Sequence, residues 1–220
     1  MKMKNILGID IGSVSIAIAT ISAEGKLLQT SYVFHQGAIK DSLKTALSDI
    51  NYDEIGAIAV TDPSDKVIYD AKYDAQISLI TAVEHFHEKY KGILFVGGEN
   101  FGLIHFNEKG QYSGFRSSSS CAAGTGSFLD QQAKRLGFSS VAELSAAAAK
   151  NSGEIPQIAT RCAVFAKTDL IHAQQEGYSI SGICDGLCKG LAKNIVDTVF
   201  TDNKNPETLI FAGGVALNTT

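Results

Sequence analysis

The stretch NILGIDIGSVSIAIATI, Asn5–Ile21, alternates apolar and small residues around Gly8, Asp10, Gly12, Ser13 and Ser15. Alternation with a period of two is the pattern of a strand that buries one face. Glu24-Gly25 then turns the chain into a second strand, Lys26 to Phe34, so this opening is expected to form a β-hairpin. The pattern returns later at one constant offset and without gaps. Gly12 corresponds to Gly97, Ile16 to Phe101, Ile18 to Leu103, Ile21 to Phe106 and the turn glycine Gly25 to Gly110. Matches at both ends of the window point to an internally duplicated unit. One position breaks the repeat, because Asp10 is answered by Phe95.

Outward from the two hairpins, helical spacing is expected over Ala38 to Ile50 and over Ala75 to Tyr90, with a short buried strand from Gly56 to Thr61 between them. On the second helix Ile77, Ile80 and Val83 share one side. His85 and His87, two apart on it, cannot face one another and read as surface residues. Beyond the second hairpin lie an amphipathic helix, Ser127 to Leu136, an alanine-rich helix, Ser139 to Lys150, and a helical pattern running to Gln175. Another helix continues through Leu191, Ile195 and Val199, and the chain closes on the strand and glycine pair Phe211-Ala-Gly-Gly-Val-Ala216. Two glycines after a strand allow backbone to approach a ligand closely.

A chain of 220 residues can bury one good core or two lobes that share a cleft. Lys plus Arg is 19 against Asp plus Glu 23, a net charge of -4, which recommends neither nucleic acid nor an anionic membrane as a partner. The apolar runs are shorter than the roughly 20 residues of a membrane span, and a cytoplasmic location is expected. Four cysteines in such a chain point to packing, catalysis or metal rather than to a disulfide scaffold.

Two of those cysteines stand in a common context. Cys121 follows four serines and precedes Ala122-Ala-Gly-Thr-Gly126 at the mouth of a helix, and Cys162, in Ile158-Ala-Thr-Arg-Cys-Ala-Val-Phe165, opens another. A thiol beside a helix N-terminus ionises more easily, which suits a metal or cluster ligand, although a free cysteine is also commonly a small buried hydrophobe. The other pair, Cys184 and Cys188, lies four apart on one helical face. That face also carries Leu191, Ala192, Ile195 and Val196, so these two read as core.

Two hairpins that open two halves around a cleft resemble the actin, heat-shock ATPase and sugar kinase superfamily. The resemblance implies an α/β, duplicated fold with two lobes around a nucleotide cleft. Residues 1–90 would form the N-terminal lobe with the first phosphate hairpin. Residues 91–220 would form the C-terminal lobe with the second hairpin, the cysteines and an adenosine motif. In that superfamily both hairpins resemble an Asp-x-Gly pattern, whose carboxylates bind the magnesium shell and position the attacking water. Phe95 can do neither, and Glu99 is the nearby candidate to stand in.

Three motifs narrow the resemblance. Cys121-Ala-Ala-Gly-Thr-Gly-Ser-Phe-Leu-Asp130, Ala159-Thr-Arg-Cys-Ala-Val-Phe-Ala166 and Gly213-Gly-Val-Ala-Leu-Asn218 closely resemble the activators of 2-hydroxyacyl-CoA dehydratases and benzoyl-CoA reductases, the BadF/BadG/BcrA/BcrD type ATPases. The resemblance implies a homodimer with one [4Fe-4S] cluster shared between the two subunits, held by Cys121 and Cys162 of each. It also implies ATP with Mg2+ bound at Asp10, Gly12, Ser13, Ser15, Gly97, Gly98, Gly213, Gly214 and Ala216, with Asp10 and Glu99 as the catalytic carboxylates. A donor such as ferredoxin or flavodoxin would supply a low-potential electron, and an acyl-CoA dehydratase or reductase would receive it. Against the family pattern, Phe95-Val-Gly-Gly-Glu-Asn100 lacks aspartates at its first and last positions, and the chain ends six residues after Gly214. Both features resemble the first of two tandem units in a longer activase-like protein. Two other functions share the fold: a degenerate nucleotide-binding module without hydrolysis, and a small-molecule kinase, which would need a carboxylate base where Phe95 stands.

Overall fold

The computed structural model describes residues 4–61, 67–118, 125–159, 163–201 and 205–218. The chain divides into two compact units, 1–88 and 89–220. In the first, β1 (Asn5–Ile11) and β2 (Ser15–Ile21) pair antiparallel, with Ile9 opposite Ile18, Asp10 opposite Ala17 and Ile11 opposite Ile16. The stretch read as the first arm of a hairpin is therefore a hairpin by itself, and β3 (Leu27–Phe34) adds a third strand. The reason is local: the Gly12 N–H donates to the Ser15 carbonyl (2.9 Å), closing a tight turn inside the alternating run. β4 (Ile55–Val60) lies parallel to β1, and the two-residue β5 (Ala71–Lys72) extends the sheet to the order β3-β2-β1-β4-β5.

Alternation places Leu7, Ile9, Ile16 and Ile18 on one face of this sheet. There they are buried with Leu43 and Ala46 of α1 (Ile39–Ala46) and with Val60. Gly8, Asp10 and Ala17 occupy the other face. α2 (Ala75–Phe86) is capped by Asp74, whose carboxylate accepts the N–H groups of Gln76 (2.8 Å) and Ile77 (3.1 Å). It ends four residues before Tyr90, where spacing placed its end, because His87 turns extended (φ -134°, ψ 126°). Val83 is buried as its spacing predicts, but Ile77 is 59% exposed. His85 and His87 are both exposed.

The second unit repeats the opening. β6 (Gly92–Val96) and β7 (Phe101–Phe106) form a hairpin, β8 (Tyr112–Ser117) joins β7, and β9 (Leu209–Ala212) lies parallel to β6, in the order β8-β7-β6-β9. The repetition reaches individual hydrogen bonds. The Gly97 N–H donates to the Asn100 carbonyl (2.8 Å) as Gly12 does to Ser15, and Gly110 to Asn107 (2.9 Å) as Gly25 does to Ser22 (2.9 Å). Even the side chains correspond: Ser22 Oγ accepts the N–H groups of Glu24 and Lys26, and Asn107 Oδ1 accepts those of Lys109 and Gln111.

Val96, Phe101 and Leu103 face a core built with four helices: α3 (Gly126–Arg135), α4 (Val141–Ala148), α5 (Ala163–Gln175) and α6 (Ile180–Val199). Along α6, Ile183, Cys184, Leu187, Cys188, Leu191 and Ile195 form the buried stripe. A second stripe, of glycines, receives the segment 154–158. A Cβ on Gly182 would stand 2.6 Å from the Glu154 carbonyl oxygen, and one on Gly186 2.7 Å from that of Pro156. No described helix is long and apolar enough to cross a membrane.

Candidate nucleotide site

In the first unit the candidate residues gather at the β1–β2 turn. Asp10 is exposed near the end of β1, opposite Ala17, and Gly12 and Ser13 are exposed in the turn itself. Gly12 is closely placed: a Cβ there would approach the Ser15 carbonyl oxygen to 3.3 Å. Two residues that sequence reasoning missed support this turn. The Thr61 hydroxyl donates to Asp10 Oδ1 and its N–H donates to the Ile9 carbonyl (3.2 Å), so the residue following β4 fixes the carboxylate rotamer. The other is His35, a residue only 5% exposed, whose ring donates from Nε2 to the Gly12 carbonyl (3.1 Å). Neither carries a motif, and each acts on a residue distant in sequence.

In the second unit three glycine-bearing segments converge. The N–H groups of Gly126 and Ser127, which open α3, donate to the carbonyls of Gly97 (2.9 Å) and Gly98 (2.9 Å). Gly126 is also pressed between Gly97 and Val215, for its Cβ would lie 3.2 Å from the Gly97 oxygen and 3.4 Å from a Val215 methyl. Gly213 has φ +94°, and its Cβ would come within 2.3 Å of the Val96 carbonyl oxygen. The short 3-10 turn Gly214–Leu217 follows, with the Ala216 N–H donating to the Gly213 carbonyl (3.1 Å). Phe128 donates to Thr125 (3.1 Å), so the first three N–H groups of α3 are spent within the chain. The helix start is therefore not an anion cradle, and Gly97, Gly98, Gly213, Gly214 and Ala216 share one neighbourhood instead.

Glu99 is exposed at the tip of the second turn. Phe95 takes the register position of Asp10, opposite Gly102 where Asp10 faces Ala17. Its ring stacks on Phe115, with centroids 5.9 Å apart and planes 10° from parallel. A Cβ on Gly102 would strike both rings at 2.8 Å, so this glycine lets the aromatic pair lie across the strand.

Cys121 and Cys162 lie outside the described residues. Among the described residues no group of three or more His, Cys, Asp or Glu side chains is arranged to hold a metal ion. Cys184 and Cys188 are free and buried, as their helical face suggested. Burial, and next the neighbouring Cys188, push the Cys184 thiol up to about 11. Burial likewise raises that of Cys188, against the Asn218 amide that donates to its sulfur (3.9 Å). Thiols held protonated in this way are poor ligands. Asn218 also accepts a hydrogen bond from Ser145 Oγ (2.6 Å), tying the end of the glycine segment to α4 and α6.

The sequence profile of the BadF/BadG/BcrA/BcrD ATPase family matches residues 7–220. The chain belongs to the BadF/BadG/BcrA/BcrD ATPase family. Among its relatives, the activator of lactoyl-CoA dehydratase from Anaerotignum propionicum is 28% identical over 224 residues, covering 96% of this chain and 83% of that protein. Two solved structures share the architecture of this family member. The activator of the 2-hydroxyisocaproyl-CoA dehydratase from Clostridium difficile, with bound ADPNP, has a TM-score of 0.83 at 22% identity, covering 97% of this chain and 81% of that one. The (R)-2-hydroxyglutaryl-CoA dehydratase component A of Acidaminococcus fermentans has a TM-score of 0.84 at 23% identity, covering 98% and 85%. At such identities the likeness speaks for fold alone, the α/β fold of these activators.

Proposed function

We propose that this ATPase-family chain is an ATP-dependent electron-transfer activator of an acyl-CoA dehydratase or reductase, working as a cytoplasmic homodimer. ATP with Mg2+ is bound through the glycine turn of each unit, Gly12, Ser13 and Ser15 in the first and Gly97 and Gly98 in the second. The donors are the N–H groups of Ser13 and Gly98 and the hydroxyls of Ser13 and Ser15, since the Gly12 and Gly97 N–H groups close their own turns. Gly213, Gly214 and Ala216 let the adenosine approach backbone. Asp10, held by Thr61, orients the magnesium shell and the attacking water, and Glu99 is the only carboxylate in the second turn. Cys121 and Cys162 of two subunits supply the four thiolates a [4Fe-4S] cluster requires, since one chain offers only two in a suitable context. The cluster supplies one-electron chemistry at low potential, taken from ferredoxin or flavodoxin.

The observation that carries this reading is the pair of hydrogen bonds from Gly126 and Ser127 to the carbonyls of Gly97 and Gly98. They fasten the second glycine turn to the helix that the Cys121 motif leads into, so a nucleotide on that turn acts on the start of α3. A relative of known structure holds ADPNP, which supports the nucleotide part of the reading. The test is an anaerobic preparation with iron and ATPase assays. The protein should be brown, with close to two irons per chain as a shared four-iron cluster requires, and Cys121→Ala or Cys162→Ala should abolish the colour. A colourless wild-type protein after anaerobic reconstitution overturns the cluster assignment.

A second reading has its own observation. Because Phe95 and its stack on Phe115 occupy the place of the second carboxylate, the chain would bind nucleotide without turning it over. Tight ATP binding without magnesium-dependent hydrolysis supports that reading over the first.

A further inference from the structure

Immediately after β3 the backbone makes an unusual pair of left-handed steps. Gln36 has φ 46° and Gly37 φ 86°, and among the described residues Gln36 alone of the non-glycines takes a positive φ. A side-chain-bearing residue avoids that region. What the contortion achieves is the placement of His35. Its N–H donates to the Val14 carbonyl (3.1 Å), its carbonyl accepts the Ala38 N–H (2.7 Å), and its ring turns under the β1–β2 turn. There Nδ1 accepts the Gly37 N–H (3.0 Å). The proton must then be on Nε2, which donates to the Gly12 carbonyl (3.1 Å). Both ring nitrogens are thus spent on backbone.

A planar trans peptide points its C=O and its N–H in opposite directions. Holding the Gly12 carbonyl inward, toward a buried ring, therefore turns the Ser13 N–H of the same peptide outward, where Ser13 is exposed. We infer that His35 is the positioning residue of the first phosphate turn: it locks the Gly12–Ser13 peptide so that an arriving phosphate oxygen meets an N–H instead of a carbonyl. This rests on the reading of that turn as a phosphate site. His35 does not touch the ligand. Its effect is to prevent a peptide flip that would set the Gly12 carbonyl, a partial negative charge, against the phosphates.

Two substitutions separate the ring's two contacts. A glutamine amide reaches the level of Nε2 and keeps a donor for Gly12, whereas an asparagine amide reaches only the level of Nδ1. The full chain is titrated with magnesium ATP by calorimetry, and the Ser13 amide is followed by 15N NMR with urea midpoints as the stability control. His35→Gln should bind within about threefold of the wild type and His35→Asn about tenfold more weakly, the worth of one lost hydrogen bond to a charged group. Only in the wild type and His35→Gln should ATP shift the Ser13 amide. A folded His35→Asn that binds ATP like the wild type, or moves Ser13 equally, overturns the inference while leaving the phosphate site standing. If His35→Asn does not fold, the wild type decides, because a Ser13 amide unmoved by bound ATP is equally fatal. A wild-type chain that binds no ATP overturns both the phosphate reading and this one.

Discussion

At Gly213 two demands meet in one residue: φ is +94°, and a Cβ would stand 2.3 Å from the Val96 carbonyl oxygen. Gly110 shares only the first, with φ +75° and nothing within 4 Å of where a Cβ would be. Alanine at the two sites thus separates strain from collision. Gly110→Ala should cost about 1–2 kcal/mol, the penalty of a left-handed residue. Gly213→Ala should cost about 2–4 kcal/mol, because β9 must also move off β6, and it should weaken ATP binding where Gly110→Ala does not. Urea midpoints and ATP titration of both variants measure this, and equal losses would remove the argument for close approach. Glycines of this kind were legible in the sequence because only a residue without a side chain satisfies them. Thr61 and His35 were not, since nothing near them in sequence hints at Asp10 or at the Gly12 carbonyl.

Elements were legible where apolar periodicity was enforced from both sides. The hairpin strands and α6 are such cases, α6 being packed along one stripe and pressed by the segment 154–158 along another. α2 was misread at its end and on one face, because its pattern continues past Phe86 while the packing that would enforce it does not: only Val83 is buried there. The two-residue β5 is too short to carry any period. On α6 the buried thiols carry a consequence for pH. Cys184 is raised from 9.0 to about 11 in the fold, so between those values the unfolded chain loses a proton that the folded one keeps. Its contribution is fully present below pH 9 and is lost as pH climbs toward 11. Urea midpoints measured across that range should fall, and Cys184→Ala should flatten the decline without abolishing it, because Cys188 is raised as well. A decline of the same steepness in Cys184→Ala would rule this thiol out as a source.

Across the whole molecule the two halves agree in strand order, turn closure and even the side chains that brace the β2–β3 and β7–β8 turns, yet they disagree where a carboxylate would matter most. Duplication was visible in sequence because glycines at turns and apolar residues in strands tolerate few replacements, so the offset survived. The fate of the odd position was not visible, because the aromatic partner of Phe95, Phe115, and the glycine that makes room for both rings, Gly102, come from other strands. Phe95 is thus built into its half, and restoring the repeat at that position has opposite effects on stability and chemistry. Phe95→Asp should lose about 2–4 kcal/mol, from the truncated ring and a carboxylate set against Phe115. It should also gain magnesium-dependent ATP hydrolysis of about a hundredfold or more, the low end of what a correctly placed general base contributes. Phe95→Ala supplies the control, since it loses the stack without gaining a charge. With both variants held below their unfolding transitions, hydrolysis that rises only in Phe95→Asp identifies the second turn as a nucleotide turn whose carboxylate has been replaced. Equal rates in the two variants would mean that the second turn does not face the reacting phosphate at all.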